Sequence, residues 1–227
     1  MSISQKTISQ KLTRRSALLL AGAGATTLAL TGGAFAQSAR TPEDTVDVDD
    51  LLQPGPLPEM VKGDEEAPVT VVEYASMTCG HCATFHNETW PQLEEEYVKT
   101  GKVRFIVREF PFDPRAAAAF MLARCAPNDA HFPMMDALFS QQRTWAFADN
   151  ARTPLENIAK LAGFTQESFE ACLTDQQLLN DVNAVKSRGE TEFGVRSTPT
   201  FFVNGAKYSG AMTFEQFSAI LDPLLAS

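Results

Sequence analysis

One stretch of the sequence indicates the fold most clearly: Val69-Thr70-Val71-Val72-Glu73-Tyr74-Ala75-Ser76-Met77-Thr78-Cys79-Gly80-His81-Cys82. The first six residues have the β-branched density of a strand. The last four place two thiols at i and i+3, positions that lie about 5 to 6 Å apart at Cβ on a helix. A modest tightening of that first turn brings two sulfurs within bonding distance. The motif therefore predicts a dithiol that opens and closes as a disulfide.

The start of a helix favours an ionised sulfur at Cys79. Backbone N–H groups of the first turn lack partners and carry partial positive charge, which stabilises a thiolate more than a thiol. His81, when protonated, adds a second favourable charge, and Gly80 completes the dipeptide between the two cysteines. We therefore expect Cys79 to be the nucleophile and Cys82 to resolve the bonds that it forms. A stabilised thiolate is also a good leaving group, so such a site tends to give its disulfide away.

Two other interpretations of the motif stay open at this point. A Cys-x-x-Cys is half of many zinc sites, but Cys125 and Cys172 stand far apart and alone, and only His86 lies nearby on the same helix. A purely structural disulfide between Cys79 and Cys82 is the other alternative. We favour redox chemistry and expect no resident metal.

The composition suits one domain with a sizeable insertion. The chain has 227 residues, of which 44% are hydrophobic, and it carries a formal net charge of −9. The part after residue 36 is still more acidic, because residues 1–36 contain four basic residues and no acidic one. Such a surface repels nucleic acid and anionic lipid, so we expect neither as a partner.

Residues 1–36 resemble an export signal peptide. A basic segment is followed by an uncharged stretch from Ser16 to Ala36, and this stretch ends in Ala34-Phe35-Ala36, a small-x-small pattern typical of cleavage by signal peptidase. Thr13-Arg14-Arg15-Ser16 is similar to a twin-arginine export motif. An uncleaved membrane anchor is the alternative. We expect cleavage after about Ala36 and export to an oxidising compartment, where cysteines can persist as disulfides.

The first part of the mature chain predicts a lead-in followed by a strand, a helix and a strand. Residues 37–66 are rich in Pro, Asp and Glu and predict a partly extended lead-in. Pro91 predicts a break near Trp90, with a second helical piece through Lys99. Val103 to Val107 is then a second strand, and this order implies a parallel right-handed crossover.

The rest of the chain predicts helices and then a hairpin. Residues 113–175 contain several amphipathic segments and predict an all-helical insertion with a small core of its own. A further helix leads back from Gln176 to about Phe193. Pro199 then precedes the strand Thr200 to Val203, and Asn204-Gly205 is a two-residue hairpin signal before a last helix.

This order of elements resembles the DsbA-like thiol-disulfide oxidoreductases of the thioredoxin superfamily. The resemblance covers about residues 66–227 and rests on Val-Val-Glu-Tyr-Ala-Ser-Met-Thr-Cys-Gly-His-Cys and Ser-Thr-Pro-Thr-Phe-Phe-Val-Asn-Gly. It implies an α/β thioredoxin fold with an inserted all-helical subdomain, in which residues 67–112 and 176–227 are the two halves of the fold. It also implies thiol-disulfide exchange on exported proteins, with no bound cofactor.

The resemblance assigns roles to single residues. Cys79 matches the attacking, partly exposed cysteine of the family, and Cys82 matches the buried one. Pro199 matches the family's cis-proline, whose loop lies against the Cys-x-x-Cys and offers backbone groups to an extended peptide. Thr198, just before that proline, would touch the disulfide and influence its reactivity.

Glu73 lies six residues before Cys79, where this superfamily often carries a buried acidic residue. A carboxyl in a strand that is covered on both faces would relay a proton to or from Cys82. The alternative is an ion pair at the strand edge with Arg104 or Arg108.

Cys125 and Cys172 are the second pair of cysteines, and both fall in the predicted helical insertion. Helical insertions in some members of the family carry a second disulfide, and the resemblance implies one here. Such a bond would close a loop of roughly 50 residues and stabilise the fold by about 4 kcal/mol in the chain-entropy model. Two free buried thiols, or a redox role, are the alternatives.

The resemblance implies a monomeric periplasmic oxidase that donates its Cys79-Cys82 disulfide to unfolded exported proteins with cysteines. A quinone-linked, DsbB-like membrane oxidase would reoxidise it. The chain departs from the best-known oxidases of the family in the dipeptide Gly80-His81 and in Thr198. A disulfide isomerase or reductase, kept reduced by a membrane reductase, is therefore the first alternative. A module that binds Cu(I) through the two thiolates and His86 is the second.

Overall fold

The centre of the molecule is a mixed β-sheet. The structure, a computed structural model, describes residues 40–226. The strands within these residues are, in chain order, β1 Asp44–Thr45, β2 Met60–Lys62, β3 Val69–Ala75, β4 Val103–Glu109, β5 Thr200–Val203 and β6 Ala206–Ser209. Their order across the sheet is β1-β6-β5-β3-β4-β2.

β3 and β4 form the parallel centre of this sheet. Val69 pairs with Val103 at one end and Ala75 with Glu109 at the other. Successive side chains of a strand point to opposite faces. Both faces of β3 are covered, because Val71 belongs to one cluster of buried residues and Val72 to another. The predicted parallel pair is confirmed, and Cys79 lies just beyond the carboxyl end of β3.

β5 brings the second sequence motif to the same end of the sheet. It runs antiparallel to β3 with Thr200 opposite Tyr74, so Thr198 and Pro199 lie beside the turn that follows β3. The Asn204-Gly205 turn then leads into β6, with φ values of 44° and 85°. An Asn-Gly pair adopts such positive φ values readily, and the predicted hairpin is confirmed.

Helices account for most of the remaining chain. In chain order they are α1 Val48–Leu51, α2 Gly80–Thr84, α3 Trp90–Leu93, α4 Pro114–Arg124, α5 His131–Ser140, α6 Gln142–Trp145, α7 Arg152–Leu161, α8 Gln166–Leu173, α9 Gln176–Thr191 and α10 Phe214–Leu225. Two π-helical segments, Phe85–Thr89 and Glu94–Val98, directly follow α2 and α3.

The helix that begins after Cys79 is continuous, and the prediction of a break near Trp90 is wrong. The backbone stays helical from Gly80 to Val98. Proline lacks the N–H that a helix interior needs, but Pro91 lies at the start of α3, directly after the wider π-helical turn whose last bond joins the Trp90 N–H to the Phe85 carbonyl. The π-helical turn thus accommodates the proline without ending the helix.

The chain between β4 and α9 is helical, as the amphipathic segments predict. Its five helices are α4 to α8, and Leu138, Trp145, Ile158 and Phe169 are buried among them. These side chains belong to the same buried cluster as residues of β3 and β4. The insertion therefore buries apolar side chains among its own helices, and this core is continuous with that of the sheet.

The segment predicted as a lead-in contributes both edge strands. Asp44 and Thr45 pair with β6, and Met60 to Lys62 pair antiparallel with β4. The many Pro, Asp and Glu residues of 37–66 obscure strands of two and three residues, which are too short to show an alternating pattern. Part of this segment thus belongs to the sheet.

The predicted signal peptide, its twin-arginine motif and its cleavage point after about Ala36 lie outside the described residues. In the part of the chain that the structure does describe, no helix has both the length and the apolar character required to cross a bilayer.

Candidate active site

The two cysteines of the motif occupy different environments at the start of α2. Cys79 is the N-cap residue, with φ −77° and ψ 120°, and its sulfur is partly exposed. Cys82, one turn further along, is 0% exposed. Both are free thiols in this structure. The exposed sulfur can meet a substrate, whereas the buried one can meet only Cys79.

The surroundings of Cys79 favour its anion, and its pKa is lowered to about 5. The largest cause is a hydrogen bond from the Cys82 thiol, and the Thr198 hydroxyl and the backbone N–H groups of Cys82 and His81 act in the same direction. Burial opposes them but is outweighed. The backbone donors are those expected where a helix begins. Cys79 is therefore a thiolate at neutral pH.

The opposite holds for Cys82, whose pKa is raised well above its ordinary value. Burial is the largest cause, followed by the hydrogen bond to Cys79 and the negative charge of Glu73. One donor opposes this shift, since the Ser76 backbone N–H lies 3.5 Å from Cys82 Sγ. Cys82 is therefore a thiol whenever the pair is reduced.

Thr198 and Pro199 lie against the exposed sulfur. The peptide bond between them is cis, as the resemblance implies for Pro199. The Thr198 carbonyl oxygen is 3.2 Å from Cys79 Sγ and can accept a hydrogen bond from its thiol form. The loop before β5 thus contacts Cys79 directly and presents backbone groups beside it.

Glu73 is fully buried in β3, and its partner is His86. Its Oε2 lies 3.0 Å from His86 Nε2. The alternative of an ion pair with Arg104 or Arg108 is wrong. Arg108 instead binds Glu59, at 2.7 Å, on another part of the sheet.

The dipeptide between the cysteines is exposed. A side chain at Gly80 would meet no atom within 4 Å, so packing does not require a glycine there. The His81 side chain is also exposed, and its backbone N–H is the group that acts on Cys79. The surface beside the reactive sulfur is thus unobstructed.

Gln142 is a residue of this site that sequence reasoning missed. It is 4% exposed, and its Nε2 donates to the carbonyl oxygens of Met77 and Cys79, at 2.8 and 2.9 Å. The turn between β3 and α2 has a second side-chain hydrogen bond, in which the Thr78 hydroxyl donates to Asp113 Oδ2 at 2.5 Å. Gln142 and Asp113, which make these hydrogen bonds, both lie in the region predicted as the helical insertion. A lone glutamine far along the chain carries no local signal of such a contact.

Cys125 and Cys172 are joined by a disulfide. It links the end of α4 to α8 and closes a loop with a sequence separation of 47. The implied second disulfide is confirmed, and the alternative of two free thiols is wrong.

The structure also bears on the metal alternatives. Within residues 40–226, no three His, Cys, Asp or Glu side chains are grouped so that they could hold a metal ion. Cys125 and Cys172 are bonded to each other, and His86 is turned to Glu73. These three side chains are therefore not directed at the Cys79-Cys82 motif.

A helix-initial Cys-x-x-Cys beside a cis-proline, on a sheet with a helical insertion, defines the dithiol proteins of the thioredoxin fold. Comparison with known sequences agrees. The sequence model of the family described as "Thioredoxin" matches residues 57–223. The crystal structure of Wolbachia pipientis alpha-DsbA1 superimposes with a TM-score of 0.73 at 31% identity, covering 80% of this chain and 96% of that one. The chain therefore belongs to the thioredoxin superfamily, in its DsbA-like branch.

Two further comparisons give the range of these similarities. A Rickettsia bellii protein, provisionally named a protein-disulfide oxidoreductase, is 32% identical over 170 residues, which are 72% of this chain and 63% of the relative. The chain thus spans less than two thirds of that relative's length. The fold is shared more widely: Chlamydia trachomatis DsbA matches with a TM-score of 0.64 at 20% identity, over 72% of this chain and 90% of its own.

Proposed function

We propose that this protein is a periplasmic thiol-disulfide oxidoreductase that donates its Cys79-Cys82 disulfide to exported proteins during oxidative folding. The observation that carries the proposal is the contrast between two sulfurs one helical turn apart. The pKa of Cys79 is lowered to about 5, whereas that of Cys82 is raised. The names of the Wolbachia and Rickettsia proteins support the same activity.

The proposed reaction begins when a substrate thiolate attacks Cys79 Sγ in the oxidised pair. The Cys79–Cys82 bond breaks, its electron pair goes to Cys82 Sγ, and that sulfur takes up a proton. A second substrate thiolate then attacks the substrate sulfur of the mixed disulfide and releases Cys79 as a thiolate. A sulfur with a low pKa leaves readily, which favours transfer of the disulfide to the substrate.

The substrate would bind beside Thr198 and Pro199. An extended peptide can hydrogen bond to backbone groups of that loop in the manner of an added strand, with its cysteine next to Cys79. Unfolded chains with cysteines suit such a site, because most of the contacts would be made by the backbone and few by particular side chains.

Glu73 would exchange a proton with Cys82 during the reaction. Its negative charge acts on Cys82, and a carboxyl close to a buried sulfur can act as a general acid or base. We expect Glu73→Gln to slow the steps at Cys82 more than it lowers the thermal midpoint. Unchanged exchange kinetics in this variant would remove the role.

The remaining parts of the proposal rest on the sequence. Residues 1–36 would direct export to the periplasm, by the twin-arginine route, and would be removed after about Ala36. The protein would act as a monomer, and a quinone-linked membrane oxidase of the DsbB type would restore its disulfide. No bound cofactor is needed for the exchange itself.

A second function, as a disulfide isomerase or reductase, is favoured by one feature of the site. Thr198 is the residue before the cis-proline, as in bacterial isomerases of this superfamily, and it contacts Cys79 directly. A membrane reductase would then keep the pair reduced. The low pKa of Cys79 argues for the oxidase, since a stabilised thiolate favours the reduced form of the pair and makes its disulfide oxidising.

The reduction potential of the Cys79-Cys82 pair separates the two functions. We would equilibrate the purified protein with glutathione redox buffers and follow the pair by alkylation and mass spectrometry. A potential well above that of glutathione supports the oxidase, and one well below it supports the reductase. A peptide with two cysteines then provides the direct assay, in which the oxidised protein should convert the peptide to its disulfide. Absence of this conversion would overturn the proposed function.

A further inference from the structure

The buried pair formed by Glu73 and His86 leaves one polar atom of each side chain, Glu73 Oε1 and His86 Nδ1, without a hydrogen-bond partner among the described residues. The two side chains are 0% and 4% exposed, and the Glu73 charge reaches Cys82. A carboxylate without solvent needs a partner, and His86 supplies one at 3.0 Å. Unlike an arginine or a lysine, an imidazole has two ring nitrogens, one of which can donate a proton while the other accepts one.

His86 is held so that its two ring nitrogens have different surroundings. Its ring stacks on Phe139 of α5, with the ring centres 4.2 Å apart and the planes at 11°. Nε2 contacts Glu73, whereas Nδ1 has no hydrogen-bond partner among residues 40–226. Nδ1 is itself buried, so water reaches it only by entering from a neighbouring opening. An imidazole with one nitrogen engaged and the other unpaired can accept a proton on one side and release one on the other.

His86 also lines an opening to solvent that adjoins the groove beside Gly80, and the two share Asn87 and Ser140. This surface cavity has a volume of about 430 Å³ and lies between the helix that carries His86 and α5. Neither Cys79 nor Cys82 lines it. Its lining includes, besides His86, the residues Trp90, Pro91, Glu94, Asp136 and Ala137.

The reaction makes such an opening useful. Cys82 is 0% exposed, and a substrate bound to Cys79 covers the side from which solvent would otherwise approach. The sulfur expelled when the disulfide opens must nevertheless take up a proton, because burial disfavours its anion. That proton has to come from inside the protein.

We propose that His86 conducts protons between the surface cavity and Glu73, so that Cys82 exchanges its proton on a side of the molecule that the substrate leaves free. This inference rests on the proposed function. It makes His86 a residue that moves a proton and holds Glu73, rather than a residue that touches the substrate.

The proton balance closes without a further reactant. Before the disulfide opens, Glu73 carries the proton on its carboxyl group and His86 is neutral with its proton on Nε2. When the disulfide opens, Cys82 Sγ takes the carboxyl proton, Glu73 takes the Nε2 proton of His86, and Nδ1 takes one from water that enters through the surface cavity. His86 ends neutral, with its proton on the other nitrogen. When the pair is reoxidised, each transfer runs in reverse and one proton returns to water through Nδ1.

The charged groups around His86 suit this role. Glu73 faces it from β3, and Asp136 faces it from α5 with a pKa that burial raises. Glu94, on the same helix, is paired with Lys62 of β2 at 2.7 Å. Carboxylates thus lie on both sides of the ring, and these favour entry of a proton.

The test measures how fast the oxidised pair opens in wild type, His86→Gln and His86→Ala. The oxidised proteins are mixed with dithiothreitol at a series of pH values, quenched with acid and alkylated. Mass spectrometry then gives the fraction of the pair that has been reduced. His86→Gln keeps an amide donor for Glu73 but cannot pass a proton on. We expect both variants to open about tenfold more slowly, since loss of general acid catalysis costs at least this much.

Chemical rescue separates a proton carrier from a structural support. Imidazole added to His86→Ala can enter the vacated space from the cavity, and we expect it to restore most of the lost rate in a saturable manner. The double variant Glu73→Gln/His86→Ala should show no rescue, because imidazole acts through Glu73. His131→Gln is the matched control: His131 is 8% exposed and faces Phe132 and Arg124, so its loss should leave the rate unchanged.

Several outcomes would overturn the inference. These are wild-type rates in both His86 variants, a slow His86→Ala that imidazole does not rescue, or rescue that persists without Glu73. A folded His86→Gln variant with a wild-type pH profile would be equally decisive, should His86→Ala not fold. Failure of the proposed function is recognised separately, because the wild-type protein itself would then fail to oxidise the peptide.

Discussion

The two cysteine pairs of this protein use the same chemistry under different conditions. Cys79 and Cys82 lie one turn apart at a helix start, with one sulfur partly exposed and its pKa lowered to about 5. Cys125 and Cys172 lie 47 residues apart in sequence and join two helices. The first pair has donors aimed at one sulfur, whereas the second ties together segments that would otherwise separate. Position, rather than the presence of two thiols, distinguishes a reactive pair from a structural one.

The largest effect should come from removing the reactive sulfur. Cys79→Ser should lower the rate of peptide oxidation by about 1,000-fold or more, since the variant cannot form the Cys79-Cys82 disulfide that oxidises the peptide. The double variant Cys125→Ser/Cys172→Ser should keep most of the wild-type rate. Initial rates with a dithiol peptide compare them. Loss of activity in the double variant at a temperature where it is folded would contradict the division between the pairs.

The free energy of unfolding should depend more on the second cysteine pair than on the first. Cys125→Ala/Cys172→Ala should lower the free energy of unfolding by about 4 kcal/mol, because a loop with a separation of 47 residues is no longer closed in the unfolded chain. Cys79→Ala/Cys82→Ala removes a bond that closes only a very small loop, so it should change the free energy of unfolding less. Urea unfolding curves of both variants, recorded with wild type, measure the difference. Equal losses in the two variants would be inconsistent with this assignment.

The pH dependence of alkylation sharpens the comparison further. Iodoacetamide should react with Cys79 at a nearly constant rate above pH 6 and about tenfold more slowly per pH unit below pH 5, because its pKa is about 5. The lowered pKa also has a thermodynamic sign. As the pH rises from about 5 to the ordinary thiol pKa, the free energy of unfolding of the reduced protein increases, because the folded state holds Cys79 as a thiolate. This gain is lost again as the pH falls through that range to 5. A midpoint near 8.5, typical of free cysteine, would remove the basis of the proposed reactivity.

The smallest effect should follow from loosening the turn that carries Cys79. Gln142→Leu leaves the Met77 and Cys79 carbonyl oxygens without their side-chain donor, at a cost of about 1 to 3 kcal/mol in unfolding free energy. Exchange should slow by a few fold. Gln141→Leu is the control, because that neighbouring side chain forms no hydrogen bond to the turn within residues 40–226. If the two variants behave alike, the turn does not depend on Gln142.

The sequence made the reactive pair predictable because its determinants are local. The spacing of Cys79 and Cys82, and the strand before them, are enough to predict a thiol at a helix start. The Asn204-Gly205 hairpin is local in the same sense. The cis peptide before Pro199 was predicted only through the resemblance, since no local feature distinguishes it from other X-Pro bonds.

Features that depend on distant partners were missed or misassigned. Glu73 was correctly expected to be buried, but arginines were weighed as its partners, whereas the fold places His86 beside it. Gln142 looked like any polar residue of a helix. The edge strands, of two and three residues, were too short for an alternating pattern to be seen. In each case the deciding contact is made only after the chain has folded.

The shortness of the edge strands has a consequence for a protein that meets unfolded chains. β1 has two residues and β2 has three, so neither border of the sheet offers a long row of free peptide groups. Long open borders recruit other chains and lead to aggregation. An unfolded substrate with exposed backbone would therefore have few sites at which to add as a further strand. Its contact with the protein would end when the thiol-disulfide exchange is complete.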